Sequence, residues 1–304
     1  MPTLIPTSTT EHLAPKQNPE GVQAPYGAGK FATGQVKNIE VIFPNKNRDG
    51  KRYFPDGEIY MKIFKANRLR NKRAIVLHSG APKPNEGLME LELILQILRD
   101  NDVKPEIFFS YFPYGMQDKV FEKGETNVAE NLIEKLINYY KVKKIYVIDP
   151  HFGGRKWIKK YPLIDVSAIP ILIEAAKGDF GEDILFLSPD IGGKRRTGIS
   201  GGMKKERLTS FKVKMVSPEL NFKGKVIGVI DDMIKTGGTL LKFQEIAKKS
   251  GAKKIIALVT HGVISSGVSK IKKKYSKLYL TNTIKQKEAN VDITELILKN
   301  LSKT

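Results

Sequence analysis

The chain has 304 residues, 52 Lys and Arg against 32 Asp and Glu, a net charge of +20, and no Cys at all. Such a length allows a substantial core and about two domains, and the absence of Cys excludes disulfides, thiolate metal sites and thiol nucleophiles. No apolar run reaches the roughly 18 residues that a membrane-crossing helix needs, so a soluble, cytoplasmic protein is expected. The Lys residues fall in dispersed pairs, such as Lys143 and Lys144, Lys248 and Lys249, or Lys253 and Lys254, mostly at helix ends before strands. Such pairs read as solvated surface. No nucleic-acid or membrane partner is expected, and anionic substrates suffice to explain the charge.

Residues 1–35 are rich in Pro, Thr, Gly and Gln and read as a poorly ordered or loosely packed leader. Val36–Phe43 is the first expected strand. In Arg52–Ile63 a Pro-Asp-Gly turn separates two extended pieces, along which Phe54, Asp56 and Glu58 alternate and share one side. Ala74–His78 is a strand, followed by an amphipathic helix with Leu88, Leu91, Leu95 and Leu98 inward. A strand at Glu106–Tyr111, a helix at Asn127–Tyr140 and a strand at Lys144–Ile148 follow, the last leading into Asp149, Pro150 and His151. The second half repeats the alternation with strands at Ile184–Leu187, Val226–Ile230 and Ile255–Val259. Strands alternating with helices predict parallel sheets with crossover helices. The segments VKKIYVIDPH and AKKIIALVTH each place a His after a strand that follows Lys-Lys-Ile, which supports two similar domains. The expected division is 36–155 and 156–304.

The most informative stretch is KVIGVIDDMIKTGGTL, Lys225 to Leu240. A β-branched run buried on both faces ends in two carboxylates, Asp231 and Asp232. Lys235, Thr236, Gly237, Gly238 and Thr239 follow, and the spacing of Leu240, Phe243 and Ile246 opens a helix. Ligands of open parallel sheets sit at the carboxyl ends of strands, and a Gly/Thr loop at a helix N-terminus offers N–H groups to phosphate. The carboxylates would repel a phosphate and suit hydroxyls or magnesium. Ribose 5-phosphate meets both demands, and here the chain resembles the phosphoribosyl-binding signature of the type I phosphoribosyltransferase fold.

More widely, from about Arg52 onward, the segments FPDGEIY, SGAPKPNEGLMELELILQILRD, YFPYGMQDK, VIDPHF, SPDIGG, KKERL and VIDDMIKTGGTL resemble the ribose-phosphate pyrophosphokinase family. The resemblance implies an α/β fold of two tandem type I phosphoribosyltransferase-like domains, each a mainly parallel sheet flanked by helices. It also implies a diphosphoryl transfer from ATP to ribose 5-phosphate with Mg2+, in a homo-oligomer. In this likeness Phe54, Asp56 and Glu58 meet the adenine of ATP across a subunit boundary, and Gln117, Asp118 and His151 serve the ATP site. His151 and Asp190 lie at metal. Asp190, Asp231, Asp232, Thr236, Gly237, Gly238 and Thr239 hold ribose 5-phosphate, while Lys205 and Arg207 are the catalytic cations.

Three departures accompany the likeness. Met116 stands where the family has Arg, the stretch KRRTGISGGM is shorter than the family's, and the leader lacks the usual first strand and helix. The first two favour an alternative, a non-catalytic regulatory or scaffolding homologue that binds phosphoribosyl ligands. A phosphoribosyltransferase acting on a base would share the central loop, but it has no need of FPDGE and VIDPH. His12, His78 and His261 read as structural.

Overall fold

The computed structural model describes residues 2–15, 39–189, 204–207, 213–216 and 221–302. Its first sheet has six parallel strands: β1 (Thr3–Pro6), β2 (Glu40–Val41), β3 (Ala74–Ser79), β4 (Glu106–Tyr111), β5 (Lys144–Ile148) and β6 (Leu163–Val166). Their order is β2-β1-β3-β4-β5-β6. Every residue of β3 is buried, because alternate side chains enter cores on opposite faces. Val76, Ile107, Phe109 and Val147 pack on one face under α1 (Pro84–Asp100) and α2 (Val128–Asn138). Leu91, Ile94, Leu95 and Leu98 of α1 are fully buried there, each stabilising the fold by about 1.5–3 kcal/mol. Pro84 starts α1, where its missing N–H is harmless. Asn127 caps α2 by accepting the Glu130 N–H at 3.2 Å and returning its amide to Glu130 Oε2 at 2.8 Å.

The second sheet is built from β7 (Ile184–Leu187), β10 (Val226–Ile234), β11 (Lys254–Gly262) and β12 (Lys277–Leu280), all parallel, in the order β12-β11-β10-β7. The short strands β8 (Lys204–Arg207) and β9 (Val213–Val216) form a separate antiparallel pair. Ile227 and Val229 face a core shared with α4 (Gly238–Lys249) and α5 (Ser265–Lys274). Ile230, Ile256 and Leu258 face the opposite side.

The remaining face of each sheet is covered by a helix that follows the last strand of the other. The helix α3 (Ile169–Phe180) leaves β6, yet its Leu172 and Ala176 pack on Ile230 and Leu258 of the second sheet. The helix α6 (Thr294–Ser302) comes after β12, yet its Ile297 and Leu301 pack on Ile75, Leu77 and Phe108 of the first. Arg73 ties this arrangement by donating to the Leu301 carbonyl and to Glu106 at 2.8 Å.

Two expectations need correction. Residues 2–15, read as part of a loose leader, include β1, whose Leu4 and Ile5 are fully buried between β2 and β3. A division at 155/156 cuts the first sheet, since Ile145–Ile148 pair with Leu163–Val166 and α6 returns to the same sheet. Of the expected strand Val36–Phe43, Glu40–Val41 is strand and 36–38 lie outside the described residues. The strands at 106–111, 144–148 and 184–187 have the expected bounds.

Candidate active site

The buried strand β10 runs past Ile230, so Asp231 and Asp232 belong to its last turns of ladder, with Asp231 opposite Val259 of β11 and Met233 opposite His261. They are 7% and 3% exposed. Asp231 Oδ1 accepts the Asp232 N–H at 3.0 Å, which fixes the first carboxylate against its own backbone. Beyond them Gly237 caps α4 with φ of +79°, a conformation that a side chain would resist. A Cβ there would also lie 3.0 Å from Ile271 Cδ1. One at Gly267 would fall 1.8 Å from the Lys235 carbonyl, so the loop rests directly on the start of α5. Thr236, Gly238 and Thr239 are left at the mouth of an open crevice with their helix N-terminus toward it.

Across the crevice stands His151, from the loop after β5 in the other sheet. Its Nδ1 lies 2.7 Å from Asp232 Oδ2. With a carboxylate as acceptor, Nδ1 carries the proton, and Nε2 is the remaining ligand atom. Met116, 40% exposed, lines the same space. The junction continues inward. Asp149 Oδ2 accepts the Ala168 N–H at 3.0 Å and the Thr260 hydroxyl at 2.7 Å, and its burial pushes the carboxyl pKa upward. Burial likewise lowers His261 to about 4, so this residue is neutral. Tyr111 stacks edge-on to His261 at 5.0 Å, and burial, then the Asp232 charge, raises its hydroxyl to about 12. Asp165, exposed on β6 beside this loop, is pushed upward by the protein packed around its carboxyl and by the neighbouring Asp149 charge.

No group of three or more His, Asp or Glu suited to a metal occurs among the described residues. Magnesium fits the crevice in another way: it keeps waters and binds through one or two carboxylates plus substrate phosphates. The carboxylates of Asp231 and Asp232 line the crevice with His151.

Residues 48–140 match the N-terminal domain of ribose phosphate pyrophosphokinase, and residues 203–302 match the phosphoribosyl synthetase-associated domain. Over 278 residues the chain is 31% identical to a ribose-phosphate pyrophosphokinase of Pyrococcus abyssi, covering 88% of this chain and 91% of that one. A second, from Pyrococcus furiosus, is 32% identical over 288 residues, covering 90% and 99%. The chain belongs to the ribose-phosphate pyrophosphokinase family. Its fold is that of a phosphoribosylpyrophosphate synthetase from Mycobacterium smegmatis, with a TM-score of 0.73 at 20% identity over 99% of this chain and 97% of that one.

Within this pyrophosphokinase-family fold the expected site residues divide. His151, Asp231, Asp232, Thr236, Gly237, Gly238 and Thr239 come together in the crevice. Phe54, Asp56 and Glu58 do not line it; they lie on an exposed hairpin closed by Phe54 N–H to the Glu58 carbonyl at 2.8 Å. Gln117 is exposed, while Asp118 is 3% exposed and held by Arg155 through two hydrogen bonds of 2.6 and 2.9 Å. Lys205 and Arg207 sit on β8, opposite Met215 and Val213. Asp190 and KRRTGISGGM lie outside the described residues. Sequence reasoning missed Arg155, Asp165 and the Thr260 hydroxyl. Only Asp165 left a signal there, as an acidic residue in a strand that follows VIDPHF.

Proposed function

We propose that this chain is a ribose-phosphate diphosphokinase that moves the β,γ-diphosphoryl group of ATP to the C1 hydroxyl of ribose 5-phosphate and releases AMP, a step of nucleotide biosynthesis. The observation that carries the reading is the crevice in which Asp231 and Asp232 stand beside a Gly-Gly helix N-terminus, with His151 of the other sheet hydrogen-bonded to Asp232. Loop N–H groups from Thr236 to Thr239 take the 5-phosphate, and the two carboxylates accept from the ribose hydroxyls. The C1 oxygen attacks the β-phosphorus as its hydroxyl proton passes to solvent, an O–P bond forms there, and the bond to the α-phosphate oxygen breaks with AMP as the leaving group. Such transfers depend on positioning and charge neutralisation more than on a strong base. Magnesium, when bound, neutralises charge on the phosphate oxygens. Asp190 completes the donor set with His151, and Lys205 and Arg207 from β8 approach equatorial oxygens of the transition state. Gln117 and Asp118 flank the ATP side. The exposed Phe54, Asp56 and Glu58 serve the adenine of a neighbouring subunit in a homo-oligomer of two or more chains working in the cytoplasm.

The test is chromatographic detection of AMP from purified protein, ATP, Mg2+ and ribose 5-phosphate, with 31P NMR of the new C1 diphosphate. A second reading is favoured by Met116, which places a thioether in the crevice where the likeness calls for a cation. On that reading the protein binds ribose 5-phosphate but gives no AMP above a no-enzyme control.

A further inference from the structure

The junction between the two sheets contains a polar network that the reaction as described leaves unused. Thr260, His261, Thr281, Thr283 and Ser110 are each at most 1% exposed. Thr260 and His261 are adjacent on β11, one strand from Asp232. The Thr260 hydroxyl donates to Asp149 Oδ2 at 2.7 Å, and His261 Nε2 lies 3.0 Å from the Ile148 carbonyl. Two consecutive residues of the second sheet thus grip two consecutive residues at the end of β5, and Pro150 and His151 follow at once.

The hydroxyls around this grip are all hydrogen-bonded. With Nε2–H donating to Ile148, neutral His261 accepts at Nδ1 from the Thr283 hydroxyl, 3.0 Å away, and the Thr281 hydroxyl satisfies the Thr260 carbonyl at 2.6 Å. The Thr283 carbonyl in turn receives the Ser110 hydroxyl of β4 at 2.8 Å. Thr283 Oγ1 also lies 2.9 Å from the Thr260 carbonyl and Thr281 Oγ1 3.1 Å from Thr283 Oγ1, so the buried hydroxyls form a connected network behind the two contacts to β5. Asp149 itself adopts φ of +35°, unusual for a residue with a side chain, so the loop carrying His151 leaves β5 along a path that these bonds hold.

We propose that Thr260 and His261 are positioning residues: they latch the end of β5 to β11 and thereby fix His151 against Asp232, so that the ATP side and the ribose side of the crevice face each other in register. The latch touches neither substrate. It rests on the reaction proposed above for its catalytic consequence, but not for its effect on His151.

The experiment uses the full-length protein and the variants Thr260→Val, which keeps shape and removes the hydroxyl, and Thr260→Ser, which restores it. Thr260→Val should lower kcat about tenfold or more, the scale of a displaced reacting group, with ribose 5-phosphate affinity by calorimetry held within about twofold, because that ligand's loop lies wholly on the second sheet. Thr260→Ser should recover most of the loss. In the ligand-free protein, the His151 Nδ1–H resonance, sheltered by Asp232, should broaden away in Thr260→Val and return in Thr260→Ser. A His151 signal unchanged in Thr260→Val overturns the latch, whether or not the protein turns over. A His151 signal altered in Thr260→Val, together with a wild-type protein that yields no AMP, upholds the latch and overturns the proposed reaction. A kcat loss matched by an equal loss of ribose 5-phosphate binding and not rescued by Ser overturns the positioning role.

Discussion

His78 offers a quantitative check on the buried polar seam of the first sheet. It lies fully buried on β3, with Nδ1 3.1 Å from Thr7 Oγ1 and with no hydrogen-bond partner for Nε2 among the described residues. Desolvation lowers its pKa from 6.5 to about 3. Between those values the unfolded chain holds the proton and the folded chain does not, so stability contributed by neutral His78 is present above pH 6.5 and is lost as pH falls toward 3. From pH 7.5 to 5.0 the loss is about 1.5 pH units at 1.36 kcal/mol each, about 2 kcal/mol. His261, lowered to about 4, adds a similar loss over the same interval. Asp149 and Asp165 act in the opposite sense: their folded pKa values are raised, so they bind protons first in the folded state and gain stability as pH falls. The bulk acid sensitivity is therefore a partial cancellation, and the diagnostic quantity is the difference between proteins. His78→Gln keeps a polar neighbour for Thr7 and cannot titrate. Urea unfolding followed by circular dichroism at both pH values should show the variant losing about 2 kcal/mol less than the wild type. Equal losses in the two proteins would mean that His78 is charged or hydrated in the fold, and the argument from burial would fail.

Other substitutions separate the parts of the site. Gly237→Val forces a branched side chain into φ of +79° and against Ile271, so ribose 5-phosphate affinity should fall about tenfold or more by calorimetry while the fold persists. Arg155→Ala strands the buried Asp118 carboxylate without its paired donors and should cost about 2–4 kcal/mol in chemical unfolding, with Arg155→Lys recovering part of it. Lys205→Ala and Arg207→Ala should each lower kcat about a hundredfold or more with little change in ribose 5-phosphate affinity; unchanged turnover in both would remove β8 from the catalytic machinery.

What the sequence disclosed follows from how local each cause is. The strands at 106–111, 144–148 and 184–187 could be bounded from their apolar runs because burial on both faces leaves a continuous signal. The Thr236–Thr239 loop is equally legible, since the groups proposed to take phosphate are backbone N–H groups at one helix start and the φ requirement at Gly237 selects Gly locally. β1 is not. Its Thr3, Leu4, Ile5 and Pro6 offer two strongly apolar residues, and Thr3 and Thr7 are buried only because β3 and its carbonyls lie alongside. β10 runs past the end that its apolar run predicts at Ile230 for a related reason: a pair of Asp reads as loop, whereas the register with Val259 and His261 keeps both carboxylates in the strand.

The exchange of α3 and α6 marks where local reading stops. An amphipathic pattern states that a face is covered and is silent on which sheet covers it. Leu172 and Ala176 would satisfy that pattern equally well on either sheet, as would Ile297 and Leu301. The outcome is that α3, between β6 and β7, covers the second sheet, while α6, at the far end of the chain, returns to the first. Residues before the boundary at 155/156 therefore lack β6 and α6, which complete their sheet, whereas the two cores of the second sheet lie wholly beyond it. The same dependence extends to chemistry: His151 meets Asp232 only because the two sheets are fastened in one relation, by two helices outside and by Thr260 and His261 within.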